Sequence, residues 1–102
     1  MPFTIRQFRR LPACCAVTYH RGDAEGSGIV WNLSVSGLRF SGDLPLDLGE
    51  TCSLTVTLPN EQSVYVAAGI VRWVRGEEFG VESLVVDHDS REQMTHYVRQ
   101  SS

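Results

Sequence analysis

Two short groups of polar residues stand out in an otherwise ordinary chain. The first is Arg6-Gln7-Phe8-Arg9-Arg10, in which Arg6 and Arg10 are four apart with Arg9 between them. The second is Asn32-Leu33-Ser34-Val35-Ser36-Gly37, between the apolar runs Ile29-Val30-Trp31 and Leu38-Arg39-Phe40. A guanidinium is a planar fork that meets a phosphate bidentately and stacks on a base, which an ammonium does not do. On an extended chain alternate side chains share a face, so Asn32 and Ser34 point the same way and make a small patch of amide and hydroxyl. Gly37 lets the chain turn, or lets a ligand approach its backbone, at no steric cost. The chemistry within reach of these groups is recognition of a phosphodiester that carries bases. Each group also has a plain structural explanation: a solvated basic terminus for the first, and a strand ending in a Ser/Gly turn for the second.

In this order the two groups resemble the PilZ family, bacterial domains that bind the second messenger cyclic di-GMP. The family pattern is Arg-x-x-x-Arg, then roughly twenty to thirty residues, then Asp/Asn-x-Ser-x-x-Gly, and a motif of this kind counts only in the right context. Arg6 and Arg10 match the first element, Asn32, Ser34 and Gly37 match the second, and 21 residues lie between Arg10 and Asn32. Val71-Arg72-Trp73-Val74 and Phe79-Gly80-Val81-Glu82 are also similar to the family, so the likeness covers nearly the whole chain. The resemblance implies that Arg6 and Arg10 contact guanine and phosphate from an N-terminal arm. It also implies that Asn32, Ser34 and the Gly37 backbone complete the site from a barrel surface. Guanine offers O6 and N7 as acceptors for a guanidinium fork, and arginine also stacks on a base face. Arg9 is a further candidate outside the family pattern. The implied ligand is cyclic di-GMP, with no cofactor and no metal.

These residues need elements to hold them. At 102 residues the chain is one domain with one modest core. Alternating apolar residues predict strands over 13–20, 29–33, 38–41, 51–58, 63–74 and 78–83. The run over 51–58 is the cleanest, with Cys52, Leu54, Val56 and Leu58 on one face and Ser53, Thr55 and Thr57 on the other. Residues 21–28, rich in glycine, read as a connection. In the fifth strand Val64 and Val66 share a face while Val71 and Trp73 fall on the opposite count, which places a bulge near 67–69, beside Gly69. Trp31 could face either side of its strand. Near the end, Asp89 or Ser90 can cap a helix, Asp89-Ser90-Arg91-Glu92 fits a capping box, and Met94, Tyr97 and Val98 form a short apolar stripe. The expected architecture is all-β: a six-stranded antiparallel barrel of the PilZ-like, split-barrel type with one C-terminal α-helix. The expected divisions are a flexible arm over 1–12, the barrel over 13–86, and the helix and tail over 87–102.

Composition narrows the function. Hydrophobic residues are 42% and charged residues 21%, which suits a folded globular chain. No apolar run approaches the ~18 residues of a membrane span. Met1-Pro2-Phe3-Thr4-Ile5 is too short for the apolar core of a secretory signal, so a cytoplasmic location is expected, as the resemblance also implies. Cys14, Cys15 and Cys52 lack metal-ligand spacing and read as reduced thiols. The net charge is −3, which disfavours general binding of DNA or RNA. The chain has no lysine, and three of its nine arginines fall in the first ten positions.

An enzyme is not expected. His20, His88 and His96 lie far apart, no Gly-x-Ser-x-Gly elbow or P-loop is present, and Asp87 and Asp89 flank a helix start where acids suit the dipole. The leading reading is a cyclic di-GMP receptor that relays binding to an unidentified protein effector, as a monomer or homodimer. The alternatives are a PilZ-like adaptor that does not bind nucleotide and a small barrel that binds single-stranded nucleic acid. The intact motif residues count against the adaptor, and the acidic balance counts against the nucleic-acid barrel.

Overall fold

Period-two alternation and short turns yield six strands that close on one another. The computed structural model describes residues 11–34, 36–59 and 61–101, with side chains over 15–97 of that span. The elements are β1 (Leu11–Arg21), β2 (Ala24–Ser34), β3 (Gly37–Gly42), β4 (Thr51–Thr57), β5 (Ser63–Arg75), β6 (Glu78–Val86) and α1 (His88–Ser101). All pairs are antiparallel, and the order round the closed barrel is β1-β2-β3-β6-β5-β4, with β4 pairing back onto β1. Closure gives every described strand a neighbour on both sides. This is the expected six-stranded barrel with one C-terminal helix.

The inward faces supply the core. Val17 and Tyr19 of β1, Val30 and Leu33 of β2, Phe40 of β3, Leu54 and Val56 of β4, Val64, Val66 and Val71 of β5, and Phe79 of β6 are all buried. Tyr19, Phe40 and Phe79 form an aromatic cluster with ring centroids 4.9, 5.5 and 6.5 Å apart. The Tyr19 hydroxyl donates to the Leu44 carbonyl at 2.7 Å and accepts from the Leu44 amide at 2.9 Å, which pins the loop after β3 to the barrel. Met94 carries α1 into the same core, and Tyr97 packs partly against it. The side chain of Val98, the last member of the expected stripe, lies outside the described residues.

Three local expectations need correction. The barrel begins at Leu11 rather than at 13, because Leu11 and Pro12 already pair with Leu33 and Asn32. The glycine-rich stretch 21–28 is mostly strand. Its turn is only Gly22-Asp23, with Gly22 at φ 60°, the left-handed value a tight II′ hairpin needs at its first central position. Gly26 and Gly28 are glycines for space, not for turning. A Cβ at Gly26 would come within 2.5 Å of Leu44 Cβ, and one at Gly28 would strike the Ser41 carbonyl. Finally, α1 starts at His88, and the Arg91 amide bonds the Asp87 carbonyl at 3.0 Å, so Asp87 holds the N-cap position. Ser90 is buried instead, and its hydroxyl accepts from the Tyr65 amide at 2.9 Å, tying the helix to β5.

The expected bulge is present: the β5–β6 register shifts between Val66 and Ala68 and again between Ala68 and Gly69, and β4–β5 shifts opposite it. Two further bulges position the site. One lies between Val30 and Asn32, the other between Val71 and Trp73.

Candidate functional site

Val30 and Leu33 are both buried although three residues separate them. A regular strand cannot turn both inward. The β2 bulge resolves this by placing two consecutive residues outward, so Trp31 is 44% exposed and Asn32 is turned toward the outer face beside Ser34. Trp31, whose side was open in the sequence, faces out and donates its indole N–H to Ser41 Oγ at 2.9 Å. The second bulge does the same on β5: Val71 is buried while Trp73 is partly exposed.

Cross-strand register then assembles two rows on one outer face. Asn32 pairs with Arg39, Arg39 with Gly80, and Gly80 with Trp73. In the next row Ser34 pairs with Gly37, Gly37 with Glu82, and Glu82 with Ile70. The two central glycines leave a depression, and the flanking side chains wall it. The result is an open cleft of about 340 Å³ that also takes in Ser36, Arg72 and Val81. Gly37 does not have a positive φ. It is glycine because a Cβ would press on the Val81 carbonyl oxygen of β6. At Gly80 the obstacle is the Trp73 indole, which lies across it.

The cleft is charge-balanced. Arg39 Nη2 reaches Glu78 Oε1 at 3.0 Å, and Arg72 Nε reaches Glu82 Oε1 at 2.7 Å. The guanidinium carbons of Arg39 and Arg75 lie 5.7 and 5.8 Å from the Trp73 ring centroid, within cation–π range. Asn32 Oδ1 and Arg39 Nε are shielded from solvent and have no hydrogen-bond partner. Ser34 Oγ donates to the Gly37 carbonyl at 3.1 Å and lies 3.4 Å from Ser36 Oγ. That hydroxyl therefore stabilises the β2–β3 turn and still has lone pairs facing the cleft. The resolved pKa shifts lie elsewhere: burial raises Tyr19 and Cys52, and both belong to the core.

Asn32, Ser34 and Gly37 thus come together, and they share their cleft with residues the motif did not name. Arg6, Arg9 and Arg10 lie outside the described residues. Arg39, Arg72, Trp73, Gly80 and Glu82 were not assigned to a site from the sequence. Arg39 was within reach, since alternation with the apolar Leu38 and Phe40 already turns it outward. Trp73 was not, because only the bulge moves it off the core face. Among the described residues no cluster of His, Cys, Asp or Glu could hold a metal, and no helix is long and apolar enough to cross a membrane. Cys15 and Cys52 are buried and carry no disulfide.

A small closed barrel with a glycine-floored polar cleft on its outer face and a helix packed into its core defines the class. Residues 4–100 match the model of the PilZ domain, and the chain belongs to that family. Among solved structures it is similar to the Bacillus subtilis inhibitor of motility MotI/DgrA, with a TM-score of 0.79 at 19% identity over 97% of this chain. It covers only 52% of that protein, so it spans about half its length. It is also similar to the PilZ domain of CeSA from a cellulose-synthesizing bacterium, with a TM-score of 0.69 at 14% identity, covering 90% of this chain and 96% of that one. At such identities these likenesses speak for the fold. No curated protein matches the chain.

Proposed function

We propose that this protein is a cyclic di-GMP receptor that holds the nucleotide between the segment before β1 and the cleft, and passes the signal to a protein partner. One observation carries the reading. Leu11 pairs with Leu33 and Pro12 with Asn32, so the chain enters the barrel directly beside the Asn32–Ser34 wall. Arg10 is the residue immediately before that entry point, and Arg6 is one short step further. Leu11, the residue that follows the first motif in sequence, therefore lies at the edge of the cleft that holds the second.

The roles follow from chemistry. Arg6 and Arg10, helped by Arg9, supply cations beyond Arg39 and Arg72, whose charges Glu78 and Glu82 offset. They meet phosphate and the guanine O6 and N7 edge. Asn32, Ser34 and the Gly37 backbone supply the barrel half. Fixing about five backbone residues of an arm costs roughly 5–10 kcal/mol, and one arginine contact of about 1.5–3 kcal/mol does not offset that, so two or more are needed. Residues 1–10 act as the arm that nucleotide orders, and the ordered arm presents the surface a partner reads.

Calorimetric titration with cyclic di-GMP, with GTP, GMP and single-stranded RNA as controls, tests the function. Cyclic di-GMP should bind at micromolar Kd or tighter, about −8 kcal/mol, and the controls far more weakly. Absence of cyclic di-GMP binding would leave the nucleotide-free adaptor, and preference for RNA would leave the nucleic-acid barrel. Amide exchange tests the arm: protection over 4–10 should rise with nucleotide while β4 stays unchanged.

A further inference from the structure

In the receptor reading Arg6 and Arg10 take the O6 and N7 edge of guanine, which leaves its other edge to be read from the barrel. Guanine differs at its N1–H and N2–H donors, which a pair of acceptor oxygens satisfies together. Asn32 has one acceptor oxygen, and it is shielded from solvent in this cleft. The open acceptor pair is the carboxylate of Glu82. Glu82 lines the cleft, its side chain is 47% exposed, and Arg72 Nε holds its Oε1 at 2.7 Å. It pairs in register with Gly37, which itself pairs with Ser34. Because Gly37 has no side chain, the space from Ser34 to Glu82 is open floor, two strand spacings or roughly 9–10 Å wide. A planar base can lie there with one edge toward Glu82.

We propose that Glu82 is the guanine-reading residue of this cleft, accepting N1–H and N2–H of one base, with Arg72 as the residue that positions its carboxylate. The idea rests on the cyclic di-GMP reading and adds its base selectivity. Arg72 fixes one carboxylate oxygen from the side, which lowers the cost of orienting the pair and keeps an otherwise repelling charge on the base and away from the phosphates. A carboxylate hydrogen-bonded to a base edge strengthens guanine specifically. A carboxylate acting only as a counter-charge to Arg72 would weaken every dinucleotide alike.

The test compares cyclic di-GMP with cyclic di-IMP, which lacks only the 2-amino groups, on wild type and Glu82→Gln by calorimetry. Glu82 is on the surface, so the variant should keep the wild-type melting temperature. Wild type should prefer cyclic di-GMP over cyclic di-IMP by about tenfold or more, the worth of a charge-assisted hydrogen bond. In Glu82→Gln that preference should fall to about threefold or less, with the loss falling on cyclic di-GMP. An unchanged preference, or an equal gain in affinity for both dinucleotides, would overturn the assignment while leaving the receptor reading in place. Failure of wild type to bind either dinucleotide would overturn both.

Discussion

Gly37 and Gly80 floor the same cleft but are held open by different neighbours, so alanine at each should fail in a different way. At Gly37 a Cβ would press on the Val81 carbonyl oxygen and lie 3.3 Å from Glu82 Cα. Those are backbone atoms of β6, fixed by the pairs of Gly37 with Glu82 and Leu38 with Val81, so the strands themselves must part. Overpacking of this kind costs about 1–3 kcal/mol. Stiffening of the unfolded chain returns up to about 1 kcal/mol. The net loss is about 1–2 kcal/mol, which for a domain of this size lowers Tm by about 4–16 °C. At Gly80 the neighbour is the pyrrole edge of the Trp73 indole, a side chain that is 36% exposed and, unlike backbone, can swing away from the sheet. Gly80→Ala should therefore cost under about 1 kcal/mol while displacing the indole from Arg39 and Arg75. Thermal melts by circular dichroism read the first effect. Tryptophan emission on a Trp31→Phe background, which isolates Trp73, reads the second as a red shift. A Gly37→Ala variant melting within about 2 °C of wild type would refute the steric account of Gly37 and assign that glycine to the ligand instead.

Further outcomes follow from the same geometry. Tyr19→Phe removes the hydroxyl shared by the Leu44 amide and carbonyl and should cost about 1–3 kcal/mol in urea melts. Cys52 is pushed from 9.0 to about 11, first by burial and then by the nearby Glu50 charge. The fold favours its neutral thiol, so this stabilisation is complete below about pH 9 and is lost as pH rises through about 11. Wild type should therefore lose up to about 3 kcal/mol more than Cys52→Ala over that window. Arg10→Ala should weaken cyclic di-GMP binding by about tenfold to a hundredfold with no change in melting. Asn32→Ala and Ser34→Ala should weaken binding while shifting stability by no more than about 1 kcal/mol. A large drop in Tm for either would make its role structural.

Elements with clean alternation were legible in the sequence, and the residues at their bulges were not. Cys52, Leu54 and Val56 gave β4 directly, and the changed parity across Gly69 gave the bend in β5. The start of β2 was misread because glycine is ambiguous: Gly26 and Gly28 look like turn residues, and only the Tyr19 ring, Leu44 and the Ser41 carbonyl packed against them show otherwise. Ser90 looked like a cap for a similar reason, since a serine near a helix start serves either the helix or a neighbouring strand. That Asn32, Ser34 and Gly37 share one wall of the cleft was legible because they are close in sequence. Its opposite wall was not, because Trp73, Gly80 and Glu82 reach the cleft only through the register of β3 with β6 and of β6 with β5.

The most direct test is a titration of the isotope-labelled protein with cyclic di-GMP, followed by amide chemical shifts. Resonances of Arg6, Arg10, Asn32, Ser34, Gly37, Arg39, Gly80 and Glu82 should move together and saturate with one affinity, while those of Ser53 and Thr55 on β4, across the barrel, should stay in place. Shifts confined to another face of the barrel, or no shifts at saturating nucleotide, would contradict the account.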